Sequence, residues 1–246
     1  MTIKLIRPDW PAQTRVNALV TTRVGGVSEG QYAGLNLGIN TEDDWDNIQK
    51  NRRLLTQHAD LPQAPNWLKQ VHGNRVVTLV ESSADLEEAD ASVTETPGAV
   101  CAVLTADCLP VFLCSDDGTE VAVAHGGWRG LASGILSHTV SAFRATPESL
   151  MAWLGPAISQ DHFEVGDEVR QQFVAKDPSA MACFRENERG RWQADLYGLA
   201  RRSLARAGVS RVFGGEFCTY ANKSKFFSYR REPKCGRMAS LIWLSP

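Results

Sequence analysis

The chain is short of several things that enzyme classes depend on. It has five histidines in 246 residues and no His-x-His pair, so a centre of four coppers, which draws on many imidazoles, has too few ligands. None of the six cysteines, at 101, 108, 114, 183, 218 and 235, forms a Cys-x-x-Cys pair. The spacing used by zinc ribbons and by the usual zinc deaminases is therefore missing, and reduced thiols in the cytoplasm are the expectation. Neither sign of charge dominates, with 26 Lys and Arg against 28 Asp and Glu. The resulting net charge of -2 gives no general attraction to nucleic acid or to an anionic membrane, which leaves small-molecule substrates as the better expectation.

Uninterrupted apolar runs are also scarce. The longest nearly apolar stretch, 98–114, is broken by Asp107 and Pro110 and is rich in Val and Ala, which suits two buried strands joined at Asp107-Cys108-Leu109-Pro110 better than a membrane helix. The first residues, Met1-Thr2-Ile3-Lys4-Leu5-Ile6-Arg7-Pro8, have no apolar segment after their basic residues, so no secretory signal is expected. Scans for a Walker A loop, a His-Glu-x-x-His helix and a dinucleotide Gly-x-Gly-x-x-Gly find nothing. No internal repeat, low-complexity tract or linker divides the chain, and nothing calls for an obligate protein partner.

What is present is a hydrophobic content of 43%, enough for a substantial core in one domain over 1–246. Apolar patterning predicts strands at 17–22, 75–80, 100–106, 111–114, 120–125, 150–154, 211–214 and 239–244. Helical spacing predicts helices over 44–58, 131–143 and 195–207, the last opened by a capping Asp195 and stopped by Gly208, with a weaker helix at 166–175. Strands and helices interleave irregularly. That pattern predicts a single mixed α/β layered domain rather than a regular βαβ repeat.

Three segments carry metal-capable side chains among small or apolar neighbours: Gln70-Val71-His72-Gly73, Ala106-Asp107-Cys108-Leu109-Pro110 and Ala124-His125-Gly126-Gly127-Trp128-Arg129-Gly130. Two imidazoles and a thiolate make up three ligands of a zinc, with one position open for a water, a phosphate oxygen or a substrate atom. His125 ends an expected strand ahead of two glycines, Arg129 and an expected helix, which is a favourable place for an anion. Taken alone, His125 is equally readable as a core histidine, with the glycines merely turning strand into helix. Likewise Cys108 alone reads more readily as a small buried hydrophobe, and what favours it over Cys101 and Cys114 is its place at the break of an apolar run. His58, His138 and His162 read as surface residues, His162 the least so.

Gly26-Val27-Ser28-Glu29-Gly30 matches the Gly-x-Ser-x-Gly nucleophile elbow, but glycines and turn formers follow where a helix must open. The segment reads better as a glycine-rich loop, with Arg23 a possible anion contact. Near the other end, Phe226-Phe227-Ser228-Tyr229-Arg230-Arg231 followed by Gly236-Arg237 combines aromatic faces with guanidinium groups that suit a planar base and phosphate or ribose oxygens. A basic surface loop anchored by core aromatics explains the same run equally well.

Together Thr22-Arg23-x-Gly25-Gly26-Val27-Ser28, Leu35-Asn36-Leu37-Gly38, Gln70-Val71-His72-Gly73, Thr105-Ala106-Asp107-Cys108-Leu109-Pro110, His125-Gly126-Gly127-Trp128-Arg129-Gly130 and Phe227-Ser228-Tyr229-Arg230-Arg231 strongly resemble the YfiH-like family. Its members are called laccase-domain proteins, multicopper polyphenol oxidases, peptidoglycan editing factors or purine nucleoside phosphorylases. The resemblance implies a zinc at His72, Cys108 and His125, which are also the catalytic candidates. It further implies phosphorolysis of adenosine, inosine, guanosine and methylthioadenosine, and deamination of adenosine. Arg23, Asn36, Arg129, Tyr229 and Arg230 are the candidate substrate and phosphate contacts, and Asp107 and His162 the candidate general acids. The alternatives are Cu2+ at the same site with polyphenol oxidase activity, or a cysteine-dependent hydrolase editing peptidoglycan precursors.

Overall fold

A computed structural model describes residues 2–80 and 86–246. Its strands are β1 (Leu5–Ile6), β2 (Val16–Thr21), β3 (Val76–Thr78), β4 (Ala91–Thr94), β5 (Cys101–Thr105), β6 (Leu109–Ser115), β7 (Val121–Gly126), β8 (Leu150–Leu154), β9 (Glu164–Val165), β10 (Phe184–Glu186), β11 (Trp192–Ala194), β12 (Arg211–Gly214) and β13 (Met238–Leu244). The helices are α1 (Trp45–His58), α2 (Trp128–Ser133), α3 (Ile135–Ser141), α4 (Asp167–Val174) and α5 (Leu196–Arg206). A mixed six-stranded sheet runs β12-β8-β6-β7-β4-β3, and an antiparallel four-stranded sheet runs β1-β2-β13-β5. A small third sheet, β10-β11-β9, stands beside them.

The two-residue period of the strands decides how these sheets stack. In β6, Val111 and Leu113 face the helices with Ala122, Ala124, Ala152 and Leu154, while Phe112 and Cys114 face the other way with Val121, Val123, Met151 and Trp153. That second face meets Ala18, Val20, Cys101, Val103, Ile242 and Leu244 of the four-stranded sheet. The far face of the four-stranded sheet, with Leu19, Ala102 and Leu241, is covered by Leu35, Leu37 and Leu55 of α1. The result is a layered α/β domain with both sheets buried on both faces, which explains why their strands read as continuous apolar runs. Phe112 lies fully buried between the sheets, stacked 5.9 Å from Trp153. Truncating such a side chain to alanine costs about 3–5 kcal/mol.

Most predicted elements are present, with instructive departures. The expected helix at 131–143 starts earlier, at Trp128, and splits into α2 and α3 because Gly134 takes a left-handed conformation at φ +95°. At α5 the expected cap fails in detail, since Asp195 stands at the N-cap but its side chain makes no capping hydrogen bond. Gly208 closes that helix as expected, at φ +92°. The strand expected at 111–114 extends from Leu109 to Ser115 and runs through Pro110, whose carbonyl is used by Gly155 N–H. β4 was not predicted: Ala-Ser-Val-Thr is fully buried although two of its four residues are polar. Among the described residues no helix is long and apolar enough to cross a membrane.

Candidate metal centre and active-site cavity

The ends of strands from both large sheets converge on one point. β5 leads through Ala106 and Asp107 to Cys108 and directly into β6, while β7 delivers His125 at its penultimate position. His72 lies on a separate turn that is laid along β5. Gln70 side-chain atoms pair with the Leu104 main chain at both its N–H and its carbonyl, so the 70–72 turn is held in register with the strand. The ligand-capable atoms of His72, Cys108 and His125 all lie within 4.8 Å of one another. They form the one such three-residue group among the described residues, so a centre of several metals has no second ligand set there.

The carboxylate of Asp90, fully buried just before β4, holds this group together. Its Oδ1 accepts hydrogen bonds from His72 N–H at 3.0 Å and His125 Nδ1 at 2.8 Å. Its Oδ2 accepts from Val71 N–H at 3.2 Å and Gly73 N–H at 2.7 Å. One carboxylate thus fixes the His125 tautomer, turning Nε2 toward the cluster, and builds the turn that carries His72 at φ +60°. This is the carboxylate–histidine arrangement that backs metal ligands. Sequence reasoning missed Asp90; its only signal was an acid among small and apolar residues, Ala89-Asp90-Ala91-Ser92-Val93.

Gly127 supplies space rather than conformational freedom, since its φ of -64° is open to any residue. A Cβ there would lie 3.0 Å from His72 Cδ2, 3.3 Å from Cys108 Sγ and 3.4 Å from His125 Cε1, touching all three ligands at once. Electrostatics in the metal-free cluster favour charge. Burial opposes a thiolate at Cys108, but the His125 imidazolium and hydrogen bonds from both histidines draw the thiol down to about 6. Burial likewise opposes charge on His125, yet the Cys108 thiolate and Asp90 raise its imidazole to about 9. Asp90 is held below the usual carboxylate range: burial works against its charge, and the hydrogen bonds from His125, Gly73 and Val71 outweigh it.

The donor set fits a metal. A tetrahedral zinc with two nitrogens and one sulfur needs ligand atoms roughly 3.3–3.8 Å apart, and Cys108 Sγ stands 4.0 Å from His72 Nε2. That pair needs to close by only a few tenths of an ångström, no pair is more than 4.8 Å apart, and all three side chains line one cavity, where they would hold the metal. That cavity has a volume of about 500 Å³ and is lined by Trp67, Trp128, Ile158, Phe163 and Tyr229 among others, a size and character usual for small-molecule sites.

The structure sorts the remaining sequence candidates. Arg129, Tyr229 and Arg230 line the same cavity as the three ligand-capable side chains. Arg23 and Asn36 do not, and the expectation that they contact substrate is corrected. Arg23 stacks on Phe227 at 4.7 Å and donates to the Lys223 and Ala33 carbonyls, tying two loops together. Asn36 is fully buried, donating to Thr41 and Asp43 and accepting from Gly38 and Arg237 N–H. Ser28 of the elbow-like motif is likewise structural, its hydroxyl donating to Asp43 Oδ2 at 2.6 Å. Asp107, at φ +93°, accepts from the Thr219 and Ser228 hydroxyls and from Arg230 N–H. Its carboxylate latches the C-terminal loops to the β5–β6 turn. His162 stacks on Tyr220 at 4.6 Å, outside the cavity lining. The cavity also contains Arg237, from the C-terminal run of aromatic and guanidinium groups, and Arg52, which sequence reasoning did not name.

Similarity to known proteins agrees with this geometry. The chain is 52% identical to the purine nucleoside phosphorylase YfiH of Escherichia coli (strain K12) over 241 residues, covering 98% of this chain and 99% of that one. It is 48% identical to a purine nucleoside phosphorylase of Pseudomonas aeruginosa over 241 residues, covering 97% and 98%. Among solved structures, a Neisseria meningitidis protein matches with a TM-score of 0.95 at 48% identity, covering 98% of this chain and 99% of that one. YlmD from Geobacillus stearothermophilus matches with a TM-score of 0.94 at 29% identity, covering 98% and 96%. A family model described as multi-copper polyphenol oxidoreductase laccase matches residues 17–245. With its fold, its His-Cys-His cluster and these relatives in agreement, the chain belongs to that laccase-type family, which is the YfiH-like family.

Proposed function

We propose that the protein is a zinc-dependent purine nucleoside phosphorylase acting on adenosine, inosine, guanosine and S-methyl-5'-thioadenosine, and that the same site deaminates adenosine. The observation that carries this reading is the meeting of an open three-ligand set with unpaired guanidinium groups in one aromatic-lined cavity. His72, Cys108 and His125 would hold the metal, which when bound supplies Lewis acidity toward a phosphate or water oxygen.

The remaining work falls to the chain. Arg129 and Arg230 bring positive charge to the same cavity as the ligands and suit inorganic phosphate. Aromatic walls from Trp128 and Phe163 exclude water and offer faces to a purine. Asp90 keeps His125 from rotating while the ribose–base bond is exchanged for a ribose–phosphate bond. In that exchange an oxygen of hydrogen phosphate bonds to the anomeric carbon as the carbon–nitrogen bond to the base breaks, and the purine leaves with the proton that the phosphate gives up.

The test is joint measurement of metal content and base release. Purified protein should carry near-stoichiometric zinc and release hypoxanthine from inosine only when phosphate is added. Full zinc content without phosphate-dependent release would overturn the reading. One observation favours a second reading: the Cys108 thiol drawn down to about 6 beside His125 is also the pairing of a thiol hydrolase. Such an enzyme would survive chelators and die on alkylation, whereas the metal enzyme loses activity to both.

A further inference from the structure

The cavity is far more positive than the chain that encloses it. Four arginines line it, Arg52, Arg129, Arg230 and Arg237, against a single carboxylate among the described residues, Asp107, whose oxygens accept from Thr219, Ser228 and Arg230 N–H. Among the described residues none of these four guanidinium groups is ion-paired, although nine other arginines are. Arg129, four residues after His125, and Arg230, whose N–H binds Asp107 next to Cys108, suit the incoming phosphate of the proposed reaction. Arg52 and Arg237 have no part in it.

These two flank one short stretch of backbone. Arg52, projecting from α1, donates through Nε and Nη2 to the Leu37 carbonyl at 3.1 and 2.9 Å, with its guanidinium 4.1 Å from the Trp67 ring centroid. Arg237 packs on the next residue: a Cβ at Gly38 would lie 2.6 Å from Arg237 Cγ. A guanidinium carries five N–H donors. Nη1 of Arg52, and Nε and Nη2 of Arg237, have no protein acceptor among the described residues. Burial draws the Arg52 guanidinium down to about 10, with no carboxylate nearby to offset it. A half-buried cation with free donors and no counter-ion is a standing invitation to an anion.

Arg52 and the ligand cluster also meet different stretches of one segment of the lining. The 66–72 segment runs parallel to β5 and the following turn, with Asn66 bridged to Cys101 and Gln70 to Leu104. His72 and Cys108 sit at the downstream ends of these two segments and Trp67, with Arg52 on its face, near the upstream end. An anion held at Arg52 and Arg237 would therefore meet a different stretch of the lining from the ligand cluster.

We infer that Arg52 and Arg237 form a second anion subsite that receives a phosphate monoester carried by the substrate itself, so that the site accepts purine nucleoside 5'-monophosphates. The inference rests on the nucleoside reading above. Equilibrium binding of adenosine 5'-monophosphate and of adenosine, measured by calorimetry on the metal-loaded protein, tests it. The monophosphate should bind about tenfold or more tightly, the ratio expected for charge-assisted hydrogen bonds to the phosphate. Arg237→Met should collapse that ratio toward one and Arg237→Lys should keep part of it. Arg52→Met should act likewise; because it also removes a bond to Leu37, its folding is checked by thermal unfolding, and Arg237→Met carries the test if it fails to fold. Equal affinities for the two ligands would overturn the inference, as would a monophosphate advantage that survives both substitutions. Inorganic phosphate titrated alone is the third arm: binding that Arg237→Met abolishes, without any monophosphate advantage, would mean that free phosphate occupies the subsite and the inference is wrong. Phosphate-dependent base release from inosine is assayed separately. Its failure would count against the nucleoside reading, and its success alongside equal affinities would count against the subsite alone.

Discussion

Replacing Asp90 with asparagine isolates what the buried carboxylate contributes, because size and shape are kept while charge and half the accepting capacity are lost. The hydrogen bonds divide evenly, with His72 N–H and His125 Nδ1 on Oδ1 and the Val71 and Gly73 N–H groups on Oδ2. An amide has one oxygen, so whichever way it turns, two N–H groups face an NH2 instead of an acceptor. Each partly buried donor left without a partner costs about 1–3 kcal/mol, and with two of them the expected loss of stability is about 2–6 kcal/mol. If the oxygen stays on the His125 side, the ring keeps its tautomer but loses the negative charge behind it, and metal affinity should drop about 10–100-fold. Chemical denaturation of metal-stripped Asp90→Asn gives the first quantity and zinc competition with a chromophoric chelator gives the second. A variant that unfolds like the parent and holds zinc equally well would refute the argument that one carboxylate organises both histidines.

Gly127→Ala tests the space at the centre of the cluster. Its methyl would contact all three ligands, so zinc affinity should fall about tenfold while the helix following it, and therefore the circular dichroism spectrum, stays the same. In metal-free protein the rate of Cys108 alkylation by iodoacetamide should rise with pH and level off near 6, rather than near the 9.0 of an ordinary thiol; continued acceleration to pH 9 would contradict the ion pair. At pH 7.5 the thiol, drawn down to about 6, is already ionised and His125, raised to about 9, is protonated. Zinc binding should then displace about one proton, from His125, which calorimetry in buffers of different ionisation enthalpy measures. Asp107→Ala should cost about 2–4 kcal/mol by stranding two hydroxyls and the Arg230 N–H, and should weaken ligand binding by releasing the loop that carries Tyr229 and Arg230.

The three residues of the His-Cys-His cluster were legible in the sequence because each interrupts an apolar text: a histidine at the end of a buried strand, a cysteine where an apolar run breaks, a histidine at a turn. The same reasoning passed over Asp90, because Glu87 and Glu88 just before it make it look like the end of a charged surface stretch. Nothing in the chain announces that this acid folds back onto a turn 18 residues upstream. Arg52 was hidden differently. It stands on an amphipathic helix next to Arg53, where helical periodicity assigns an arginine to solvent, and only the tertiary placement of α1 against the Leu37 carbonyl turns it inward.

The misreadings at Arg23 and Asn36 have the opposite cause. A motif dense in glycine and polar residues looks like a ligand-binding loop whether its polar groups serve a ligand or the loop itself. Here Asn36 and Asn51 satisfy main-chain groups that the glycine turns leave unpaired, with Asn51 receiving Val27 N–H and donating to the Asn36 carbonyl. These buried side chains do what a strand ladder would otherwise do. They also matter to the site through that route, because the Leu37–Gly38 backbone they fix is the surface on which Arg52 and Arg237 rest. Asn36→Ala would leave Gly38 and Arg237 N–H without their shared acceptor. It should therefore lower the affinity for an anionic ligand through KM with little change in kcat, whereas a residue touching the reacting atoms would move kcat, and steady-state kinetics on the monophosphate and the nucleoside separates the two.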